Sequence, residues 1–186
     1  ITSYQDLGDN KIDLFYKIDL GDKAKISKIS FIGEKNFKDN ILRNIILSEE
    51  YKFWKIISGK SFLNEDLISF DKRLMTNFYK NKGYYDIKIN SSFANYLGDN
   101  EFELIYNVQS GIKYFFNELI LELPIDYDLK HFEKLNTIFD ELKGKSYSLN
   151  AIDKILDEID KIVLNEQYEF LKATVNEETN NDITNL

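Results

Sequence analysis

Leu97-Gly98-Asp99-Asn100-Glu101-Phe102-Glu103-Leu104-Ile105-Tyr106-Asn107-Val108-Gln109-Ser110-Gly111 decides the fold, because the chain has used this stretch before. Ninety residues earlier it reads Leu7-Gly8-Asp9-Asn10-Lys11-Ile12-Asp13-Leu14-Phe15-Tyr16-Lys17-Ile18-Asp19-Leu20-Gly21, and the two align without a gap. Gly-Asp-Asn is a turn signal, and the residues after it alternate with period two. Ile12, Leu14, Tyr16 and Ile18 fall on one face of a strand; Phe102, Leu104, Tyr106 and Val108 take the same face of its repeat. Shared turn, shared phase and shared exit glycine mark two successive modules closed by the same strand.

The elements between the two copies follow from periodicity. Residues 25–32 read as a strand with Ile29 and Phe31 on one face. The turn Gly33-Glu34-Lys35-Asn36 leads into a helix striped by Phe37, Ile41, Leu42, Ile45 and Ile46, with Asn36 or Asp39 as its cap. An aromatic loop carries Tyr51, Phe53 and Trp54. A second helix begins near Asn64, with Glu65 and Asp66 suited to its N-terminal dipole and Leu67, Phe70, Leu74 and Phe78 as its inward stripe. It ends at Gly83. Residues 84–93 read as a strand with Tyr85, Ile87 and Ile89 on one face.

The order is then β-α-α-β-β, and a second copy follows it. Leu119 and Leu121 take the places of Ile29 and Phe31, and residues 128–142 read as its first helix. Gly144-Lys145-Ser146-Tyr147 echoes Gly59-Lys60-Ser61-Phe62, and Ile152, Ile155, Ile159 and Val163 stripe the second helix. Asn165-Glu166-Gln167-Tyr168 echoes Asn81-Lys82-Gly83-Tyr84, and Leu171, Ala173 and Val175 mark the next strand. After the turn at Asn181-Asp182 the closing strand reads as cut short. The expected organisation is the last two strands of an earlier module over 1–22, a complete module over 23–112, and a second, truncated at its last strand, over 113–186.

Two antiparallel helices between the first and second strands make those strands run oppositely, and a tight hairpin makes the third parallel to the first. The expected fold class is therefore α+β, each module a three-stranded mixed sheet in the order first-third-second, covered on one face by two helices. The second strand is then an edge, and an edge offers unpaired N–H and C=O groups to any extended chain. Its expected residues are Tyr84, Tyr85, Asp86, Ile87, Lys88, Ile89 and Asn90, whose outward charges discourage indiscriminate pairing.

Composition narrows the function classes. The 186 residues carry a net charge of -8, with lysines interleaved among acids, which argues against a nucleic-acid partner. There is no cysteine, hence neither disulfide nor thiolate chemistry. Ile1-Thr2-Ser3-Tyr4 reads as mid-strand rather than as a signal peptide, and no apolar run reaches the length of a membrane span. His131, the single histidine, opens a helix with no nucleophile or ligand spacing around it, so a surface or capping role is expected. The carboxylates are scattered, with no pairing that suits acid/base catalysis. Gly144-Lys145-Ser146 follows a helix and has Asp140 where a phosphate loop needs glycine, so it reads as a plain turn. No catalytic, cofactor or metal site is expected. The Tyr51, Phe53 and Trp54 loop is the candidate docking point for a partner.

Several pieces in order carry a family resemblance: Ile29-Ser30-Phe31-Ile32-Gly33, then Tyr79-Lys80-Asn81-Lys82-Gly83-Tyr84-Tyr85-Asp86-Ile87, then Gly111-Ile112-Lys113-Tyr114. The module resembles the POTRA domain, the repeat of the BamA family of outer-membrane barrel assembly proteins, and the loop around Trp54 is similar to that of the third repeat. The chain departs from the pattern at Glu34, at Gln167 in place of a helix-ending glycine, and at Leu123-Pro124-Ile125-Asp126. The resemblance implies a periplasmic array preceding a C-terminal membrane barrel of the same chain. It also implies unfolded outer-membrane proteins as clients and accessory assembly lipoproteins as docking partners. Alternatives are a passive spacer, or the POTRA region of a two-partner secretion or autotransporter-assembly protein.

Overall fold

A computed structural model describes residues 2–8, 11–18, 22–54, 59–125, 127–168, 172–180 and 183–185. It opens with a hairpin of β1 (Thr2–Gly8) and β2 (Lys11–Tyr16). The first complete unit comprises β3 (Lys25–Glu34), α1 (Asp39–Arg43), α2 (Glu65–Lys80), β4 (Lys88–Gly98) and β5 (Glu101–Gln109). The second comprises β6 (Phe115–Phe116), α3 (Glu133–Leu142), α4 (Leu149–Asn165), β7 (Glu178–Asn180) and β8 (Ile183–Asn185).

The repeat holds at the level of backbone register. Tyr4 faces Leu14 as Ala94 faces Leu104, and Asp6 faces Ile12 as Tyr96 faces Phe102. Both hairpins slip register at the same step, between Asp6 and Gly8 and between Tyr96 and Gly98. In the β4–β5 loop Asp99 and Asn100 have φ of 49° and 58°, the two positive values of a type I′ turn, which asparagine and aspartate tolerate. The corresponding Asp9-Asn10 turn lies outside the described residues.

The sheets run β3-β5-β4 and β6-β8-β7, each with its last strand in the middle, parallel to the first and antiparallel to the second. That is the expected order. In the first unit Ile26, Ile29 and Phe31 of β3 and Leu104, Tyr106 and Val108 of β5 meet Leu42, Met75 and Tyr79 of the helices. Strict alternation would place Ile26 opposite Ile29; a register shift between Ile26 and Lys28 turns both inward. The other face of the sheet is mixed, with Ile32, Ile105 and Phe93 at one end and polar pairs at the other. Lys28 and Ser30 reach Glu103 at 2.7 and 2.5 Å, and Ser27 reaches Glu101.

Two helix expectations need correction. The first helix ends at Arg43 instead of continuing through Ile46. Neither expected residue caps it: Asn36 turns its amide to Ser110, and Asp39 pairs with Lys35. On α2 the buried positions are Asp71, Met75 and Tyr79, while Phe70 is exposed and Leu67 and Leu74 only half-buried. Asp71 explains both departures. Its carboxylate accepts the N–H groups of Leu47 (2.6 Å) and Ser48 (3.2 Å) and the Tyr106 hydroxyl (2.8 Å). Those bonds hold residues 47–48 out of helical geometry and rotate α2 so that an acid, fully satisfied, faces the core.

In the second unit, residues 129–132 form a 3-10 turn that runs into α3, where one helix over 128–142 was expected. On α4, Ile152, Ile155, Ile159 and Ile162 are buried and Val163 is half-buried. Leu119, Leu121, Leu123 and Ala173 pack against the helices without forming strands. Strand structure needs a hydrogen-bonded neighbour, and β8 pairs over three residues only. Leu171 and the Asn181-Asp182 turn lie outside the described residues.

Candidate functional site: one open sheet edge and an aromatic loop

A three-stranded sheet has two edges, and here they differ. Along β3 the outward main-chain groups of Ile26, Ile29 and Phe31 find partners. Tyr51 N–H donates to the Ile26 carbonyl (2.6 Å) and Leu63 N–H to that of Ala24 (2.9 Å). Ile29 N–H donates to Glu50, and Arg43 donates both to the Ile29 carbonyl (2.8 Å) and to Glu50. Lys35 reaches the Phe31 carbonyl. Strand β4, by contrast, pairs with β5 alone among the described residues. The second unit repeats the pattern: Phe116 exchanges bonds with Gly144 and Lys145, so that the Gly144-Lys145-Ser146 turn seals β6.

The expected edge is displaced toward the C-terminus. Only Lys88, Ile89 and Asn90 belong to β4. Tyr84, Tyr85, Asp86 and Ile87 form a turn, because each has packing that an edge would forbid. Tyr84 stands edge-on to Phe37 and Tyr79, and Ile87 is buried in the core. Tyr85 lies against Tyr114 and Tyr147 of the second unit, and Asp86 accepts the Tyr114 hydroxyl. What the sequence reading missed is the outer part of the strand beyond Phe93, residues 94–98; Phe93, Tyr96 and Leu97 are exposed. The signal was present as a Phe-Ala-Asn-Tyr-Leu run before the turn. A register shift between Ile89 and Ser91 marks Asn90 as a bulge, which protects the inner half of the edge.

The aromatic loop divides. Tyr51 is structural, sealing β3 with its N–H and resting near Phe62 beneath the Lys25 ammonium. Phe53 and Trp54 stand out, 73% and 69% exposed, edge to face at 4.6 Å, with the Lys52 ammonium over the indole. His131 lies at the surface with its Nδ1 at 2.7 Å from the Tyr168 hydroxyl and 3.3 Å from Glu166, joining the start of the α3 region to the end of α4.

Electrostatics around these elements are structural in character. Burial pushes the Tyr79, Tyr106 and Tyr147 hydroxyls above their ordinary range, with Asp71 adding to the effect at Tyr106 and Glu177 at Tyr147. The bonds from Lys28 and Ser30 hold Glu103 below the usual carboxylate range. Among the described residues no cluster of histidines and carboxylates could hold a metal, and no helix is long and apolar enough to cross a membrane.

Residues 24–111 match the profile of the POTRA family, described as a surface antigen variable number repeat. The outer membrane protein assembly factor BamA of Neisseria meningitidis serogroup B is 32% identical over 83 residues, 45% of this chain and 10% of that protein. Over residues 24–111 the chain is thus similar to a POTRA repeat, and the relatives it matches are BamA proteins. The BamA of Buchnera aphidicola is 25% identical over 169 residues, 89% of this chain and 27% of that protein. A crystal structure of Haemophilus influenzae BamA POTRA3-5 superposes with a TM-score of 0.65 at 14% identity, covering 90% of this chain and 66% of that one; the likeness concerns the fold. The chain thus spans at most about a quarter of the curated BamA relatives it matches. In the POTRA frame the Gln167 departure has a definite form. Tyr84 and Gly83 N–H groups close α2 on the carbonyls of Tyr79 and Lys80, and Tyr168 and Gln167 close α4 on Val163 and Leu164 in the same way. Gly83 has φ of 97° and Gln167 of 56°, so glutamine is held where glycine is at ease.

Proposed function

We propose that this chain is a non-enzymatic scaffold of outer-membrane protein assembly, working on the periplasmic side of the membrane. Its β4 edge adds segments of unfolded outer-membrane proteins as transient extra strands, and Phe53 and Trp54 dock an accessory lipoprotein. The observation that supports the reading is the asymmetry of the edges: the main-chain and side-chain hydrogen bonds that seal an edge lie along β3, while β4 pairs with β5 alone among the described residues and is interrupted only by bulges at Asn90 and Leu97. Main-chain pairing tolerates any side-chain sequence, as a scaffold for many clients requires. Each bond contributes about 1 kcal/mol net. Four or five of them support a dissociation constant near ~1 mM, weak enough for release.

The test uses photocrosslinking of barrel-strand peptides to the intact chain carrying proline at Ala94 or at Asn95. Adjacent strand residues point their N–H groups to opposite sides, so one of the two prolines removes an outward donor and spares the β5 ladder. The variant that keeps its melting temperature is expected to lose crosslinking. Undiminished crosslinking in that variant would remove β4 from the reading. It would leave the passive spacer, which the bonded joint between the units favours (Tyr114 N–H to the Gly83 carbonyl, 2.8 Å).

A further inference from the structure

The two units close the outer edge of their first strand in different ways. In the second, the Gly144 N–H donates to the Phe116 carbonyl (2.7 Å) and the Phe116 N–H to the Lys145 carbonyl (2.9 Å), so the turn before α4 lies directly on β6. Ile26 holds the place of Phe116 in the first unit, ninety residues earlier. There the corresponding turn, Gly59–Ser61, stands back, and residues 49–51 run between it and β3. The Tyr51 N–H donates to the Ile26 carbonyl on one side (2.6 Å), and the Glu49 N–H to the Lys60 carbonyl on the other (3.0 Å). Past the turn the chain returns to the strand, where the Leu63 N–H reaches the Ala24 carbonyl (2.9 Å). An extended segment thus fills a slot of one strand's width, with main-chain partners on both walls. Slot and walls belong entirely to the complete unit.

The segment in the slot has a specific chemistry. The Glu50 carboxylate accepts the outward N–H of Ile29 (3.0 Å) and pairs with Arg43, whose Nη2 donates to the Ile29 carbonyl (2.8 Å). A neutral strand placed there would satisfy the Ile26 carbonyl but leave the guanidinium without its carboxylate, forgoing a charge-assisted bond. We infer that the slot is a second peptide-binding site, taking an extended acidic segment of another protein, and that residues 49–51 occupy it as a built-in ligand until such a segment displaces them. The guest's carboxylate takes the place of Glu50 between the Ile29 N–H and Arg43. The N–H of its next residue takes the Ile26 carbonyl. The site differs in kind from the β4 edge, which offers main-chain groups alone, because the slot also reads one charge. Phe53 and Trp54 follow directly on the displaced residues, so filling the slot moves them too.

The probe is a photoreactive peptide with the sequence of residues 48–53, Ser-Glu-Glu-Tyr-Lys-Phe, offered to the intact chain. Glu50→Ala removes the internal carboxylate and leaves Arg43, so this variant is expected to crosslink at residues 26–31 about tenfold more than the unaltered chain. Glu50→Gln, which keeps an oxygen for the Ile29 N–H and loses only the charge, is the second variant should Glu50→Ala lose its melting transition; the same direction is expected. Glutamine in place of the peptide's second glutamate is expected to lower crosslinking about tenfold, and Arg43→Ala in the Glu50→Ala background to remove that preference. Trp54, the chain's one tryptophan, borders a cleft of about 370 Å³ that Arg43 and Glu50 also line, so its emission is expected to shift on occupancy. Proline at Ala94 or Asn95 in β4 is expected to leave all of this unchanged, so the two sites fail separately. Absence of crosslinks at residues 26–31 in both Glu50 variants overturns the inference. So does a response indifferent to the peptide's glutamate or to Arg43. If a neutral barrel-strand peptide takes the β3 edge of the Glu50→Ala chain as well as the acidic one does, the slot is a general strand acceptor and its assignment to an acidic segment is wrong.

Discussion

Asp71 is the residue on which the first unit turns. Its carboxylate takes three donors from two other elements, and removing it leaves the Leu47 and Ser48 N–H groups and the Tyr106 hydroxyl without that acceptor. Asp71→Ala is expected to lower unfolding free energy by about 3 kcal/mol, and Tyr106→Phe by about 1 kcal/mol, measured by urea denaturation. Gln167→Gly should act in the opposite direction. Relief of a left-handed backbone gives about 0.5–1 kcal/mol of stabilisation, while Gly83→Ala, at φ 97°, should destabilise. The buried tyrosines set an alkaline limit. Their folded values lie above the ordinary one, so the stability they contribute is whole below ~pH 10 and is lost as pH rises from there through the folded values. Tyr147→Phe should flatten the fall of melting temperature in that window. An unchanged alkaline slope would show that Tyr147 ionisation does not limit the fold.

At the scale of elements, the two edges of one sheet are treated in opposite ways. The seal on β3 depends on Glu50, Arg43 and the Tyr51 main chain rather than on a further strand. Replacing Glu50 and Arg43 together by alanine is expected to expose β3 as a second strand acceptor. Barrel-strand peptides should then crosslink to residues 26–31 as well as to β4, and failure to see the new site would mean that Tyr51 and Leu63 suffice as a seal. Element identity was legible in the sequence wherever it depended on neighbours a few residues apart. The hairpins, the Asn64 cap of α2 with its bond to Leu67 N–H, and the isoleucine face of α4 are examples. The length of α1 and the inward face of α2 were not legible, since hydrophobic periodicity counts an aspartate as a surface residue.

Across the whole molecule, the two units are joined by more than Gly111 and Ile112. Asn81, at the end of α2, accepts Asn150 N–H (2.8 Å) and the Ser148 hydroxyl (3.1 Å) at the start of α4, and the Tyr85 ring lies tilted against Tyr114 and edge-on to Tyr147. Asn81→Ala with Tyr85→Ala is expected to loosen this joint, seen as a broader distribution of dimensions in small-angle scattering with each unit's circular dichroism intact. The order of strands, the tandem repeat and its offset were determined by the sequence alone, because turn chemistry and two-residue alternation are local properties that copy with the residues. Only the tertiary structure decided which edge lies open and why an acid sits in the core. Those depend on what packs against a residue from far along the chain: Asp71 meets Leu47, Ser48 and Tyr106, and β3 meets Arg43, Glu50 and Tyr51.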